Sequence, residues 1–599
     1  HRLCHEENKQ EQSLFAGTGA WRVSFRPGCG VWEKTVCGEK YRVTAFIPPD
    51  TDARVLLVEG GAMRLRWDMR LSLSPDANGG RYVETRARGG MLFAVNRRSG
   101  ERAFAAAACW PEAAGFTCSA QSAELRQYDG AAGTFPRSAF AFELEAKGEA
   151  VIVCGCCGEE TLRALAHPDA AREALGKTLK IWDGAVGGFS LRSPEKALDN
   201  IMNGWIFYQA FACRMLARGS IYQNGGAFGF RDQLQDAVNI MLLDPKPARE
   251  QLLRSCAHQY AEGDVQHWWH ENGADSHGVR TRCSDDLVWL PWAVCEYLDA
   301  TGDEALLRET APFLASGPLT PGERDRYEQS RVSDRHGTVF EHCLLALQAV
   351  LRRGTGKHGL LLIGSGDWND GFDRVSGESE WLTWFFCLTA KRFGQLMDRL
   401  RPGSGDGLLD RAEELRRCAE NAWDGQWFLR GYYADGSPLG SHDCRECSID
   451  SIAQSFAAFC PGNDPERVKT ALQSAVRELF DRKSGIVKLF EPPFSGEKHP
   501  GYIESYGPGF RENGGQYTHG AVWLASALLK TGQTEQGWEV LRALLPGEKS
   551  IETYLGEPFV IAADVYSAPG HRGEAGWTWY TGSAGWLLRV VTEDLLGIR

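Results

Sequence analysis

No uninterrupted apolar run in this sequence approaches the ~18 residues that a membrane-crossing helix requires, and no basic-then-apolar leader opens the chain at His1. A membrane partner is therefore not expected. The G-x-x-x-x-G-K-[ST] loop that cradles nucleotide phosphates is missing too, so an NTP substrate is not indicated. Positive charge is in short supply: 66 Lys and Arg face 78 Asp and Glu, a formal net charge of -12. That balance argues against nucleic acid or an acidic membrane surface, and leaves room for one small buried anion. Spaced metal ligands are also lacking. Cys444 and Cys447 form one C-x-x-C, and Cys154, Cys156 and Cys157 lie close together, but a zinc site needs a second matched pair. His267 and His270 lack the helical i, i+4 spacing with an intervening Glu. The expectation is no metal and no organic cofactor. The 18 Cys are scattered as reduced thiols would be, which sets the expectation of a cytoplasmic protein.

What is present is long and rich in indole. At 599 residues the chain exceeds one ordinary core, so two or three domains are expected. Its 43% hydrophobic and 24% charged residues are those of a globular protein. The 20 Trp have two readings. They fill helix interfaces, or they offer flat faces on which sugar rings stack.

Two textures divide the chain. Residues 1–180 read as an antiparallel β-sandwich, with short alternating runs such as Tyr41-Arg42-Val43-Thr44-Ala45-Phe46-Ile47 ended by Gly, Pro or Asn. Residues 181–194 read as a linker. From 195 to 545 the period becomes helical, with twelve helices expected near 195–217, 231–243, 247–261, 285–301, 303–314, 338–353, 378–399, 409–423, 448–459, 465–481, 516–531 and 534–544. No fixed-period repeat supports a solenoid, so a closed double ring, an (α/α)6 barrel, is the better architecture. The long loops 218–230, 262–284, 354–377, 424–447 and 482–515 hold the densest polar and aromatic clusters. Residues 546–599 read as a small C-terminal β segment.

The loop clusters carry the chemistry. Tyr222-Gln223-Asn224-Gly225-Gly226 runs into Arg231, Asp232 and Gln235 at a helix start, side chains that match the vicinal hydroxyls of a sugar. His267 and Trp268 suit a sugar-binding wall, followed by Arg280, Arg282 and Ser284, the last placed to cap the next helix. Gly366-Asp367-Trp368-Asn369-Asp370-Gly371 sets two carboxylates beside an indole, and an acid desolvated there is expected to hold its proton near neutral pH. Asp367 and Asp370 are too close in sequence to be the opposed pair of an ordinary inverting glycosidase, which stands ~6.5–9.5 Å apart. Either a second carboxylate comes from another loop, or the nucleophile needs no base. Glu512, Gln516 and His519 follow in Arg511-Glu512-Asn513-Gly514-Gly515-Gln516-Tyr517-Thr518-His519, and Thr581-Gly582 in a last Trp-rich segment. Imidazole, hydroxyls and backbone N–H groups together suit a small oxyanion.

At these residues the sequence resembles the inverting glycoside phosphorylases of the cellobiose and chitobiose phosphorylase family, through several motifs in order from residue 195 to the end. The segments 226–236, 263–269, 511–519 and 577–582 look most like 1,2-β-oligoglucan phosphorylases and the C-terminal region of cyclic β-1,2-glucan synthases. The resemblance implies a β-sandwich, a helical linker, an (α/α)6 barrel and a small C-terminal β piece, commonly as a homodimer. It puts the general acid on Asp370 rather than Asp367. It puts Trp368 and Asp232 on the sugar and His519, Thr581 and Gly582 on phosphate, the co-substrate. Arg231, Gln235, His267, Trp268, Asp367, Glu512 and Gln516 complete the expected sugar site. Two features depart from the family. The Arg that cellobiose-type members carry five residues before Arg231 is Gly226 here, so Arg231, or Arg280 or Arg282, is expected to stand in at the phosphate. The β domain also reads as shortened at its start. The expected reaction is reversible phosphorolysis of a β-linked gluco-oligosaccharide, β-1,2 by preference, to α-glucose 1-phosphate. Cellobiose, laminaribiose or chitobiose specificity, an inverting hydrolase, and a non-catalytic glucan-binding module stay open beside it.

Overall fold

The structure is a computed structural model that describes the chain except for residues 1, 8–9, 16–18, 37, 71–72, 74–82, 97–103, 120–138, 219–225, 272–276, 330 and 599. The cluster Tyr222-Gln223-Asn224-Gly225 therefore lies outside the described residues. The chain forms two compact units, His1–Gly188 and Phe189–Arg599.

The first unit is an antiparallel sheet of eleven strands folded over on itself. Its spine is the pairing of Ala53–Arg70 with Ala139–Gly155, in register from Gly155 opposite Ala53 to Ala139 opposite Arg70 with one bulge. Alternation sends Leu56, Val58, Leu65 and Trp67 into one core, shared with Leu3, whose strand pairs with Ala53–Arg70, and with Leu14 and Leu92. Val55 and Leu57 point the other way and meet Leu162, Ala166 and Ala171. Those last residues correct the sequence reading. The stretch expected to be β up to residue 180 and linker thereafter instead holds helices Glu159–Leu165 and Pro168–Gly187, which belong to the first unit. A single buried helix side resting on a sheet carries little periodic signal, which is why strand alternation upstream concealed it.

The second unit is an (α/α)6 barrel. Six inner helices, α1 (Phe230–Ile240), α2 (Asp286–Thr301), α3 (Glu380–Leu400), α4 (Ser451–Phe459), α5 (Thr518–Lys530) and α6 (Ser583–Arg589), touch in that order, and α6 closes the ring on α1. Each of the first five is followed by an outer helix packed on it: Lys246–Cys256, Val339–Arg353, Asp406–Asn421, Pro465–Leu479 and Thr534–Ala543. The sixth inner helix is backed by the first helical stretch of the unit, between Lys196 and Leu216, so the two ends of the barrel sequence meet. Trp269, Trp289, Trp381, Trp384 and Trp523 are fully buried, so part of the tryptophan surplus fills this interior.

Twelve helices were expected, and the structure exchanges one. Residues 303–314 form a short 3-10 turn at Glu304–Arg308 and then a strand, Thr310–Leu314, paired with Val332–Thr338. Pro312 has no N–H to give a helix, which accounts for the change. The missing member is α6, inside 546–599. That segment does carry a β element, Ala562–Val565 paired with Ala575–Thr578, but it also completes the inner ring, so the barrel runs past residue 545. Every connection from an outer helix to the next inner one ends at an inner N-terminus, and these are long. Five of the six inner helices have at least two turns behind the partial positive end that faces these connections.

Candidate active site

The loop before α3 is built so that alternate side chains face opposite ways. Gly364, at φ +68°, lies against the Arg282 carbonyl where a Cβ would strike it. Gly371 packs on Ile503, whose Cβ would lie 2.6 Å from any added methyl. Between these close approaches, Asp367 and Asn369 turn inward. Arg430, fully buried, donates to Asp367 Oδ1 at 2.6 Å and Asn369 Oδ1 at 3.0 Å, and Ser379 Oγ donates to Asp367 Oδ2 at 2.6 Å. Asp367 is 0% exposed and fully committed, so its expected place on the sugar is corrected: it anchors the loop. Trp368 and Asp370 are left facing the other way.

Asp370 meets two cations. Arg231, near the start of α1, donates to its Oδ1 at 2.8 Å, and His267 Nε2 stands 3.6 Å from the same oxygen. Arg231 also donates to Asp285 Oδ1 at 3.0 Å and to the Asp367 carbonyl at 2.9 Å, which ties α1, α2 and the loop together. His267 Nδ1 pairs with Asp286 at 2.8 Å. Burial would raise the Asp370 pKa, yet the Arg231 and His267 charges outweigh it and hold the carboxyl well below the usual carboxylate range. The expectation that the neighbouring indole keeps Asp370 protonated is thereby corrected: without ligand the group is ionised. His267 is lifted well above its ordinary value; burial opposes this, and the carboxylates of Asp286 and Asp370 prevail. His267, Cys283 and Asp370 place three ligand-type atoms within 4.8 Å of one another, but the Arg231 guanidinium stands among them and supplies the positive charge a metal would bring.

The other expected residues divide. Trp368 is buried at 6% exposure and packs edge-on against Tyr517 and His519, at 5.5 and 5.3 Å between ring centroids. His519 Nε2 lies 3.1 Å from Gln235 Oε1, which also accepts from Trp586 Nε1 at 2.9 Å. Gln235 thus orients His519 and is not free for a sugar, a second correction. Gln516 is a third: buried, it accepts from the Val487 N–H at 3.0 Å. Gly582 packs on His519, where an added Cβ would lie 3.5 Å from Nδ1 and 3.6 Å from Asp236 Oδ1. Thr581 Oγ1 shares a hydrogen bond of 2.8 Å with Ser583 Oγ. His519, Gly582 and Thr581 are therefore brought to the mouth beside Trp368. Asp232 keeps a half-exposed side chain there. Trp268 packs on Tyr327 and His270, each 5.6 Å between centroids. Glu512 is half-buried, and burial together with the Asp370 charge pushes its carboxyl up to about 7 against the pull of Arg511 and Arg231. Burial, reinforced by the charges of Arg214 and Arg231, drives His519 well below its ordinary value, so it is neutral.

The expected substitutes for the missing family arginine are elsewhere. Arg280 is tied to Asp264, Glu262 and Ser316, and Arg282 donates to the carbonyls of Leu319, Thr320 and Glu323. Arg231 is taken by carboxylates. Ser284 caps no helix; its Oγ donates to the Gly366 carbonyl at 3.1 Å. Sequence reasoning missed Asp285, Asp286, Arg430 and Arg214. Only their arrangement in space marks them, although the pair Asp285-Asp286 after Arg282-Cys283-Ser284 was a visible signal.

A family profile described as the glycosyl hydrolase 94 superfamily, catalytic domain, matches residues 181–597. The chain is 44% identical over 452 residues to the cyclic beta-(1,2)-glucan synthase NdvB of Rhizobium meliloti (strain 1021), covering 74% of this chain and 16% of that protein. It is 29% identical over 455 residues to the solabiose phosphorylase of Paenibacillus borealis, covering 74% and 55%. It is 23% identical over 444 residues to the 1,2-beta-oligoglucan phosphorylase of Listeria innocua serovar 6a, covering 67% and 39%. The matched region thus spans 16% to 55% of the length of these relatives. A bacterial glucoamylase complexed with acarbose shares the fold, with a TM-score of 0.64 at 10% identity over 100% of this chain and 88% of that one. With a profile match over more than half its length, which takes in the Asp370 loop and the His519 and Thr581 segments, the chain belongs to the glycosyl hydrolase 94 superfamily.

Proposed function

We propose that this chain catalyses reversible, inverting phosphorolysis of β-linked gluco-oligosaccharides, β-1,2-linked by preference. The observation that carries the reading is Asp370, a carboxyl held between Arg231 and His267, in a unit where His519 is neutral and packs on Gly582. Phosphate is anionic at neutral pH and needs orientation rather than a base. Its oxygen attacks the anomeric carbon from the face opposite the glycosidic bond. That bond breaks, and the Asp370 proton passes to the departing oxygen, a contribution of roughly 10²–10⁴ in rate for a positioned acid. The products are α-glucose 1-phosphate and a shortened glucan.

In the reverse direction Asp370 is the base that takes the acceptor hydroxyl proton as the sugar phosphate bond breaks. The ionised state held by Arg231 and His267 is the one this direction requires. In the forward direction the arriving phosphate adds negative charge and the glucan removes water, and both raise the proton affinity of Asp370. The β-1,2 preference draws on the cyclic glucan synthase and oligoglucan phosphorylase likenesses. A homodimer and a cytoplasmic setting belong to the same reading, on the family resemblance and on cysteine usage. Among the described residues no helix is long and apolar enough to cross a membrane.

Hydrolysis is the second reading, and Glu512 favours it: a second carboxyl at the mouth, with a value near 7, suits a base for water. Product analysis with and without inorganic phosphate separates the two. Phosphorolysis gives α-glucose 1-phosphate only when phosphate is present. Glucose release indifferent to phosphate replaces the first reading with the second.

A further inference from the structure

A phosphate dianion at His519 and Gly582 needs a cation, and His519, Arg231, Arg280 and Arg282 do not provide one. His519 is neutral. Arg231 gives its guanidinium to Asp370, Asp285 and the Asp367 carbonyl. Arg280 and Arg282 are tied down in other loops.

One more arginine reaches this corner. Arg214, from the outer stretch that backs α6, is 4% exposed. Its Nε donates to Asp236 Oδ2 at 2.8 Å, and its guanidinium lies over the Tyr580 ring, 4.2 Å from the centroid. Nε and the ring fix the plane of the fork, so the terminal nitrogens are the ends left to act. Nη2 stands 3.8 Å from Asp232 Oδ1, beyond hydrogen-bond distance, and among the described residues neither Nη1 nor Nη2 donates to a protein acceptor. The second oxygen of the carboxylate that holds the arginine, Asp236 Oδ1, is fully buried and has no hydrogen-bond partner. It is also the oxygen 3.6 Å from where a Gly582 Cβ would be, beside His519. An unsatisfied buried oxygen and an uncommitted guanidinium edge therefore border the same glycine and the same imidazole. A buried polar atom left without a partner is costly and calls for one.

Accepting the phosphorylase reading above, on which this step rests, we infer that Arg214 is the cationic phosphate ligand of this chain. It presents Nη1 and Nη2 to two phosphate oxygens, with the Gly582 backbone beside them; His519, whose Nε2–H goes to Gln235 Oε1, turns a bare Nδ1 to the site and accepts from the phosphate hydroxyl. Asp236 positions the fork, and Tyr580 sets its plane. Burial pushes the Asp236 carboxyl up to about 7 against the Arg214 charge, so at neutral pH it is in part protonated. A protonated Oδ1 donates to phosphate instead of repelling it, and the Arg214 charge is then left for the anion. Arg214 thus does from an outer helix what Gly226 cannot do from the loop.

The test uses inorganic phosphate and compares wild type with Arg214→Met, Arg214→Lys and Arg214→Ala. The Met side chain keeps the packing on Tyr580 without charge or donors. The KM for phosphate and for α-glucose 1-phosphate is expected to rise about 10- to 100-fold in the Met variant, the usual effect of losing hydrogen bonds to a charged group. The KM for the glucan stays within about twofold, and millimolar guanidinium restores part of the phosphate affinity in the Ala variant. The Lys variant, which keeps the charge and loses the fork, shows a smaller rise. If the Met variant does not fold, the Lys variant and the guanidinium rescue decide. A phosphate KM unchanged in the folded Arg214 variants, or a glucan KM that rises in step with it, overturns the assignment. A wild-type chain that turns over glucan without any need for phosphate overturns the phosphorylase reading itself, and that outcome is distinct from a phosphate-dependent wild type whose Arg214 variants are unaffected.

Discussion

Arg231 bridges Asp370 and Asp285, donating to one at 2.8 Å and to the other at 3.0 Å. One guanidinium therefore favours the ionised state of the carboxyl proposed to react and fastens α1 to α2. Asp285 is fully buried, and burial raises it to about 6 although Arg231 opposes this.

Arg231→Met is accordingly expected to act twice. Asp285 loses its cationic partner in the interior and keeps only neutral donors such as Trp289 Nε1, and breaking a buried ion pair on one side costs about 3–5 kcal/mol. A lower denaturant midpoint checks this. Asp370 loses its main stabilising charge, so its pKa rises and residual synthetic activity needs a higher pH than in wild type.

His267→Gln isolates the electrostatic part. The imidazolium favours ionised Asp370, so its removal raises the Asp370 pKa. Synthesis uses the ionised form and loses activity as pH falls through that value. The acidic limb of the synthetic pH–rate profile is therefore expected to move to higher pH, while the denaturant midpoint falls less than in Arg231→Met.

Glu512 carries a value of about 7 in the structure, protonated below it and ionised above. On the proposed function, the protonated form is expected to donate a hydrogen bond to a sugar hydroxyl, and the ionised form to set a second negative charge against the incoming phosphate. The phosphorolytic kcat/KM is expected to fall as pH rises through about 7. Glu512→Gln, which cannot ionise, should remove that bend while leaving the acidic limb in place.

Asp367→Asn tests the anchor. Among the described residues Arg430 then keeps the more distant Asp450, at 3.6 Å, as its ion-pair partner. The loop is expected to loosen, with a drop in thermal midpoint and a fall in kcat larger than the change in KM. Since Asp367 is buried away from the mouth, a pure KM effect on glucan would show that it touches sugar after all.

The sequence made the barrel legible because most of its helices are amphipathic or apolar over ten residues or more and end at Gly or Pro. It concealed α6, which has only seven α-helical residues, Ser583–Arg589, before turning into a wider helix, and which follows a Trp- and Gly-rich stretch. At the site, Asp370, Arg231, His267 and His519 were readable from motif order. The division of labour inside Gly366–Gly371 was not, because adjacent residues differ only in the direction they face. Gln235 and Gln516 looked like sugar ligands for the same reason: amides serve either sugar hydroxyls or backbone, and burial decides. Arg214 lay beyond sequence reasoning, since nothing in Ala212-Cys213-Arg214-Met215 marks it until the fold brings Tyr580 and Asp236 to it.

The most direct test is release of inorganic phosphate from α-glucose 1-phosphate with sophorose as acceptor, in wild type and in Asp370→Asn. The account predicts acceptor-dependent release with a longer β-1,2 product in wild type, and a loss of roughly 10²–10⁴ in rate in the variant. Full activity in Asp370→Asn, or no phosphate release with any β-glucan acceptor, would contradict it.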